Sequence, residues 1–115
     1  MNYSKLSDGE ISLLVGKRTK PTYQVIIHPS NPKGAQLLWG VHGRQCSYGY
    51  FPLSRPEDLF SVVRKYRIGI IPDGKTVWKA VHESGIQVNN RNPLRAAAIA
   101  FLMLMDAMEA QNIEP

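Results

Sequence analysis

The feature that most constrains the fold of this chain is a long apolar stretch near its C-terminus. Every residue from Ala96 to Met105 is apolar, and most of them have a high helix propensity. Asn92 precedes Pro93, which is the order typical of a helix N-cap followed by the first helical residue. We therefore predict one long helix over residues 91–110. In a chain of 115 residues such a helix has to form the centre of the hydrophobic core.

On a helical wheel, this predicted helix carries apolar residues on two opposite sides. At about 100° per residue, Phe101 and Leu104 share one side, whereas Ile99 and Leu102 lie on the other side among charged residues. One sheet can cover only one of these sides. Ile99 and Leu102 are therefore covered either by another helix of the same chain or by a second subunit, in a homodimer formed through this helix. The sequence leaves both alternatives open.

Two shorter helices are predicted from capping boxes, in which a serine side chain and a glutamate three residues later cap the first turn reciprocally. The first helix starts at Ser7 with Glu10 and ends within the segment Gly16–Arg18. The second starts at Ser54 with Glu57 and continues into an amphipathic stripe of apolar residues.

β-Branched and aromatic residues between turn residues predict five strands, namely residues 23–28, 36–41, 68–71, 76–82 and 86–88. The first two strands are expected to form a hairpin, and residues 42–53 are predicted to be a long loop. This order of elements predicts the α+β class. We expect a single domain over residues 1–115, in which a mostly antiparallel sheet packs one face against the long C-terminal helix, with the two shorter helices beside it.

Charge and cysteine content narrow the functional classes. The net charge is +5, and no acidic residue occurs between Ile11 and Pro56. This distribution favours an anionic partner, although it also suits a charge that only keeps a small domain in solution. The single cysteine, Cys46, excludes an intrachain disulfide. Since the N-terminal residues lack the apolar core of a signal peptide and no apolar run is long enough to span a membrane, we expect a cytoplasmic protein.

No catalytic motif stands out in the sequence. It contains neither a phosphate-binding glycine-rich loop of the required spacing nor a nucleophile elbow. His42 and Cys46 have a spacing that could bring both to one metal ion, but no further ligands accompany them. We therefore expect no catalytic residues, no metal and no cofactor, and we favour a binding protein over an enzyme.

Two groups of residues are candidates for a binding site. Arg91, Asn92 and Arg95 surround the predicted start of the long helix, where free backbone N–H groups and the helix dipole favour an anion. Arginine adds bidentate recognition of a phosphate or carboxylate. The alternatives are that Asn92 is only a cap and that Arg95 forms an ion pair on the surface or at an interface.

The second candidate is the predicted loop over residues 42–53. Arg44, Tyr48 and Tyr50 combine a cation with aromatic rings, a combination used for stacking on a nucleobase or for anchoring a protein partner. The alternative for Tyr50 and Phe51 is that their rings pack under the loop as part of the core.

Three parts of the sequence carry a family resemblance: Met1–Ile11, the segment from Pro56–Leu59 through Tyr66–Ile70, and Asn92–Ala97 followed by Phe101–Met103. Together they resemble the NinX-type small proteins of lambdoid phages and enterobacterial prophages, a family of unestablished function. The resemblance covers most of the chain. It implies a phage or prophage accessory protein that acts in the cytoplasm of a bacterial host, and it implies no reaction and no catalytic residues.

These observations lead to three hypotheses about function. The first is a non-enzymatic protein that binds or sequesters an anionic host ligand. If this ligand is a nucleotide used in host defence signalling, the protein has a counter-defence role. A protein that binds nucleic acid or a host protein is the alternative, based on the acid-free half of the chain and the tyrosines beside Arg44. A small enzyme is the third and least favoured hypothesis.

Overall fold

Three helices and six strands follow one another along residues 2–113, which are the residues that the structure, a computed structural model, describes. A 3-10 turn at Tyr3–Lys5 precedes the first helix. The helices are α1 (Asp8–Thr19), α2 (Pro56–Tyr66) and α3 (Pro93–Ile113). The strands are β1 (Gln24–Ile27), β2 (Ala35–Val41), β3 (Arg44–Tyr50), β4 (Gly69–Pro72), β5 (Trp78–Val81) and β6 (Gln87–Asn90). The first residue and the last two residues of the predicted domain lie outside this description.

The strands form two antiparallel sheets. Strands β1, β2 and β3 make the N-terminal sheet, and strands β4, β5 and β6 make the C-terminal sheet, each in sequential order. Helix α1 packs on the N-terminal sheet and on α3, and α3 packs in turn on the C-terminal sheet. The predicted α+β class, with the long helix on one face of an antiparallel sheet, is therefore confirmed. The number of sheets differs, because the predicted strands belong to two sheets.

The predicted loop over residues 42–53 was wrong, because most of it is strand β3. His42 and Gly43 both have positive φ angles, 52° and 78°, and form a two-residue hairpin turn. This turn lets β3 pair with β2 from Val41 opposite Arg44 to Ala35 opposite Tyr50. The sequence concealed the strand because most of its residues are polar or small and exposed, so that no alternation of buried and exposed positions appears before Tyr50.

Several predicted helix boundaries also differ from the structure, including the end of α3, which lies at Ile113 rather than at residue 110. The capping box of Ser7 and Glu10 is present as predicted, but α1 continues past Gly16 to Thr19. Helix α2 starts at Pro56, and its N-cap is Arg55 rather than Ser54. The physical reason is the proline, which disfavours helical dihedral angles at the residue before it and therefore delays the start of the helix.

Helix α3 is buried on every side for about two turns. All residues from Ala96 to Leu102 are buried, because α1, α2 and the C-terminal sheet pack around the helix. The side chains of Ile99 and Leu102 are only 3% and 2% exposed within the single chain. Ile99 and Leu102 are therefore covered by other elements of the same chain, and almost none of their surface is left for contact with a second subunit. Among the described residues, no helix is long and apolar enough to cross a membrane.

Candidate ligand-binding site

The start of α3 is closed by Asn92, whose side chain is engaged within the fold. Its Oδ1 accepts hydrogen bonds from the backbone N–H groups of Leu94 at 2.9 Å and Arg95 at 3.3 Å, which confirms the predicted cap. Its Nδ2 donates to the carbonyl oxygen of Leu53 at 2.8 Å. Asn92 therefore ties α3 to the segment before α2, and its side-chain oxygen already accepts two hydrogen bonds.

Arg95 is held by three acceptors from the segment before and at the start of α1. Its Nη1 donates to Oδ1 of Asp8 at 2.6 Å, and its Nη2 donates to the carbonyl oxygens of Ser4 at 3.2 Å and Leu6 at 2.6 Å. The side chain is only 14% exposed, and the carboxylate of Asp8 balances its charge. Arg91 is exposed. Two of the three residues of the predicted anion site, Asn92 and Arg95, are therefore engaged with other parts of the fold.

A second group of polar contacts joins the N-terminal residues and α1 to the C-terminal half of α3. The hydroxyl of Tyr3 donates to Asp106, and both terminal nitrogens of Arg18 donate to Glu109 at 2.8 Å. Burial, together with the hydrogen bond to Asp106, raises the pKa of Tyr3 to about 12. The hydrogen bond from Arg18 lowers the pKa of the Glu109 carboxyl group. These contacts connect the N-terminal residues and α1 to the C-terminal half of α3.

Strand β3 places its three candidate residues in different environments. Arg44 is exposed beside the hairpin turn. Tyr50 is 2% exposed, and its hydroxyl lies 3.4 Å from Oγ1 of Thr19. Tyr50 is therefore part of the core, which is the second of the two interpretations given for it above. Burial raises the pKa of Tyr50. Tyr48 lies on the same face of the N-terminal sheet but is 46% exposed, which leaves its ring accessible to a ligand.

Tyr48 is held in position by residues at the start of α2. Its hydroxyl donates to Oδ1 of Asp58 at 3.1 Å, a bond that raises the pKa of Tyr48. Oδ2 of Asp58 accepts a hydrogen bond from the backbone of Phe51 at 2.9 Å and forms a 3.0 Å ion pair with Nε of Arg55. The Arg55 guanidinium lies 5.6 Å from the Tyr48 ring centroid and 4.8 Å from that of Phe51. The Tyr48 ring is therefore preorganised.

An aromatic cavity of about 330 Å³ opens between the N-terminal sheet and α2. Its volume falls within the range of small-molecule pockets, roughly 300–1,000 Å³. The rings of Tyr23 and Trp39 form a tilted pair with centroids 5.1 Å apart, and Tyr48 lines the same cavity. The other lining residues are Lys20, Leu37, Tyr50, Glu57, Asp58 and Ser61. The cavity therefore offers accessible aromatic faces with charged groups around them.

A cationic cavity of about 360 Å³ lies beside the aromatic cavity, between the end of α1 and α2. Its lining contains three basic residues and three hydroxyl groups and no acidic residue. The lining residues are Arg18, Thr19, Lys20, Pro21, Ser61, Val62, Lys65, Tyr66 and Phe101. Lys20 and Ser61 line both cavities, so the two cavities are neighbours.

The two lysines supply the uncompensated charge of the cationic cavity. Arg18 is balanced by Glu109, as described above. Within residues 2–113, neither Lys20 nor Lys65 forms an ion pair with a carboxylate. The ammonium group of Lys65 lies 5.4 Å from the ring centroid of Tyr66. A cavity with two such ammonium groups and nearby hydroxyl donors is suited to an anion.

Sequence reasoning missed most of the residues that line the two cavities. Tyr23 and Trp39 come together because β1 and β2 pair with Gln24 opposite Leu38, a register that composition does not reveal. Lys20 and Lys65 lie 45 positions apart in the sequence. Lys20 is the C-cap residue of α1, and Lys65 lies in the last turn of α2. Their position at a helix end is the one sequence signal that could have pointed to them.

The remaining candidates for metal chemistry do not converge. His42 lies in the hairpin turn and Cys46 lies on β3, so the two residues do not share one face of a helix, which is the arrangement that brings residues four positions apart together. In the part of the chain that is described, no group of three or more histidine, cysteine or acidic side chains could hold a metal ion.

The chain matches the model of a known protein family. The model of the protein family described as bacteriophage P22, NinX, matches residues 2–105, which include every residue of the two cavities. None of the curated proteins matches the chain.

Proposed function

The chain belongs to the NinX family of phage proteins, and from this premise we propose that it is a non-catalytic accessory protein that binds and sequesters an anionic ligand of the bacterial host. The cationic cavity carries the proposal. Lys20 and Lys65 face one volume of about 360 Å³ that no carboxylate lines. An anion bound there is attracted by both lysines.

Sequestration without chemistry fits the residues that line the cavity. The hydroxyl of Thr19 donates a hydrogen bond to the Val15 carbonyl oxygen at 2.8 Å. The cavity is lined by no histidine that could act as a general base for this hydroxyl and by no cysteine that could act as a nucleophile. The polar lining consists of cations and hydroxyl groups, which can hold an anion but supply no general base at neutral pH. The proposed place of action is inside the infected cell, where host nucleotides and other phosphate metabolites occur.

Calorimetric titration of the full chain with inorganic pyrophosphate at low ionic strength tests this proposal. We expect binding that the double substitution Lys20→Glu/Lys65→Glu abolishes and that added salt weakens, because exposed charges are screened. The matched control is Lys5→Glu/Lys75→Glu, which changes the net charge equally at two exposed lysines outside both cavities. Equal loss of binding in both double variants would overturn the cavity as the site.

Two further measurements separate the alternatives. Phosphorus NMR of a nucleotide incubated with the protein is expected to show the nucleotide intact. Turnover that disappears in Lys20→Glu/Lys65→Glu would instead establish an enzyme. Binding of generic DNA that falls steeply with salt, and that persists in the same double variant, would favour a nucleic-acid-binding protein acting through other cations such as Arg44.

A further inference from the structure

We infer that the aromatic cavity and the cationic cavity form one bipartite site for a nucleotide that carries at least two phosphates. The inference deepens the proposed function and rests on it. The observation that carries it is that Lys20 and Ser61 line both cavities. A ligand that spans this boundary has to be planar and apolar at one end and anionic at the other, which describes a nucleobase joined to a phosphate chain.

The aromatic cavity has the properties of a stacking platform. Tyr23 is 37% exposed and Tyr48 is 46% exposed, so both rings present accessible faces. Trp39 is paired with Tyr23, and Tyr48 is fixed by Asp58 and Arg55. Because these rings are already ordered, a stacked base loses little affinity to side-chain ordering.

The charges around the two cavities fix the direction of the bound ligand. Glu57 and Asp58 line the aromatic cavity, and their carboxylates repel phosphate from that half. Asp58 is balanced by Arg55, whereas Glu57 forms no ion pair with another described residue. The cationic cavity has two uncompensated ammonium groups that come from different helix ends. A chain of two phosphates places negative charge on both, and the base then lies in the aromatic half.

Fluorescence of Trp39 reports occupancy of the aromatic half. The protein has two tryptophans, and Trp78 lies on β5, away from the lining of either cavity. In the Trp78→Phe background we expect ADP to quench the emission of Trp39. Calorimetry is expected to show that inorganic pyrophosphate binds, but this binding should not quench the emission of Trp39. Adenosine is expected to bind weakly and to quench it. ADP should bind at least about 10-fold more tightly than either fragment, since joining two bound parts raises the effective concentration of the second.

Tyr23→Ala tests the stacking platform against a matched aromatic substitution. We expect it to weaken ADP about 10-fold, the usual scale for loss of one stacking ring, and to leave pyrophosphate binding unchanged. The control is Phe60→Ala on α2, because Phe60 is 61% exposed and lines neither cavity. This control should affect neither ligand.

The outcomes distinguish this inference from the proposed function. If pyrophosphate binds as tightly as ADP and Trp39 emission does not change, the bipartite site is refuted while anion binding stands. If neither ligand binds, both proposals fail. If a single-stranded oligonucleotide binds more than 10-fold tighter than ADP and quenches Trp39, the occupant is a polynucleotide and the inference of a free nucleotide is overturned.

Discussion

Two regions of this protein contain the same kinds of side chain but use them differently. Around α3, the cations Arg95 and Arg18 meet the carboxylates of Asp8 and Glu109, and the tyrosine, Tyr3, donates to Asp106. Around the two cavities, by contrast, Lys20 and Lys65 face no carboxylate partner among the described residues. The two arginines of the first region are paired with carboxylates, whereas these two lysines of the second region are not.

The difference shows that residue type and local sequence do not identify a binding site. Arg91, Asn92 and Arg95 form the more suggestive sequence motif, but Arg95 and Asn92 serve the fold. Lys20 and Lys65 look like ordinary helix-terminal lysines, which complement the helix dipole. Substitutions should therefore change stability in the region around α3 and ligand binding in the cavity region.

The largest effect is expected from Arg95→Ala. This substitution removes one ion pair and two hydrogen bonds to carbonyl groups from a side chain that is only 14% exposed. We expect the free energy of unfolding to fall by about 3 kcal/mol, measured by denaturant titration. The control is Arg91→Ala, whose exposed side chain should change stability by less than about 0.5 kcal/mol. Equal effects of the two substitutions would mean that the Arg95 contacts contribute nothing.

A smaller loss is expected from Asn92→Ala. The substitution removes the cap of α3 and the hydrogen bond to the Leu53 carbonyl. The expected cost is about 1.5 kcal/mol, because a cap contributes about 1 kcal/mol and the buried carbonyl loses its donor. Asn92→Ser is the informative control for denaturation experiments, since serine keeps a capping oxygen and loses the donor to Leu53 without adding a charge. A cost for Asn92→Ser as large as that for Asn92→Ala would show that the cap itself is unimportant.

The third prediction is a pH effect at Tyr3. Its pKa in the folded protein is about 12, above the ordinary value of 10.0. The bond to Asp106 therefore contributes fully below pH 10 and is lost as the pH rises through 12. We expect Tyr3→Phe to lower the free energy of unfolding by about 1 kcal/mol at pH 8, and the difference from the parent protein to shrink between pH 10 and pH 12. A difference that stays constant over this range would contradict the assignment.

Much of the fold could be predicted from local sequence because its signals are short-range. The capping box of Ser7 and Glu10, the cap at Asn92 and the β1–β2 hairpin all depend on neighbouring residues, and all three are present. Strand β3 was missed because its residues show no alternation of apolar and polar positions, and because the turn before it has positive φ at His42, which is uncommon for a residue other than glycine. The division into two sheets depends on long-range pairing, which periodicity does not encode.

The candidate site was less predictable than the fold for the same reason. Tyr48 was identified from its own segment, but the aromatic cavity also needs Tyr23 and Trp39 from an adjacent hairpin and Asp58 from α2. The compensation of Arg95 depends on Asp8, 87 positions away in sequence. Whether a cation is balanced or free is a property of the tertiary fold, and one sequence does not report it.

The smallest effect on stability is expected at the cavity lysines. Lys20→Ala/Lys65→Ala removes two ammonium groups that have no carboxylate partner in the described part of the chain. Thermal denaturation should therefore show a change within about 0.5 kcal/mol, or a small gain from reduced repulsion between like charges. A loss of more than about 1.5 kcal/mol in the free energy of unfolding would mean that these lysines, like Arg95, make contacts that stabilise the fold. In that case the cationic cavity would be a structural feature rather than a place for a ligand.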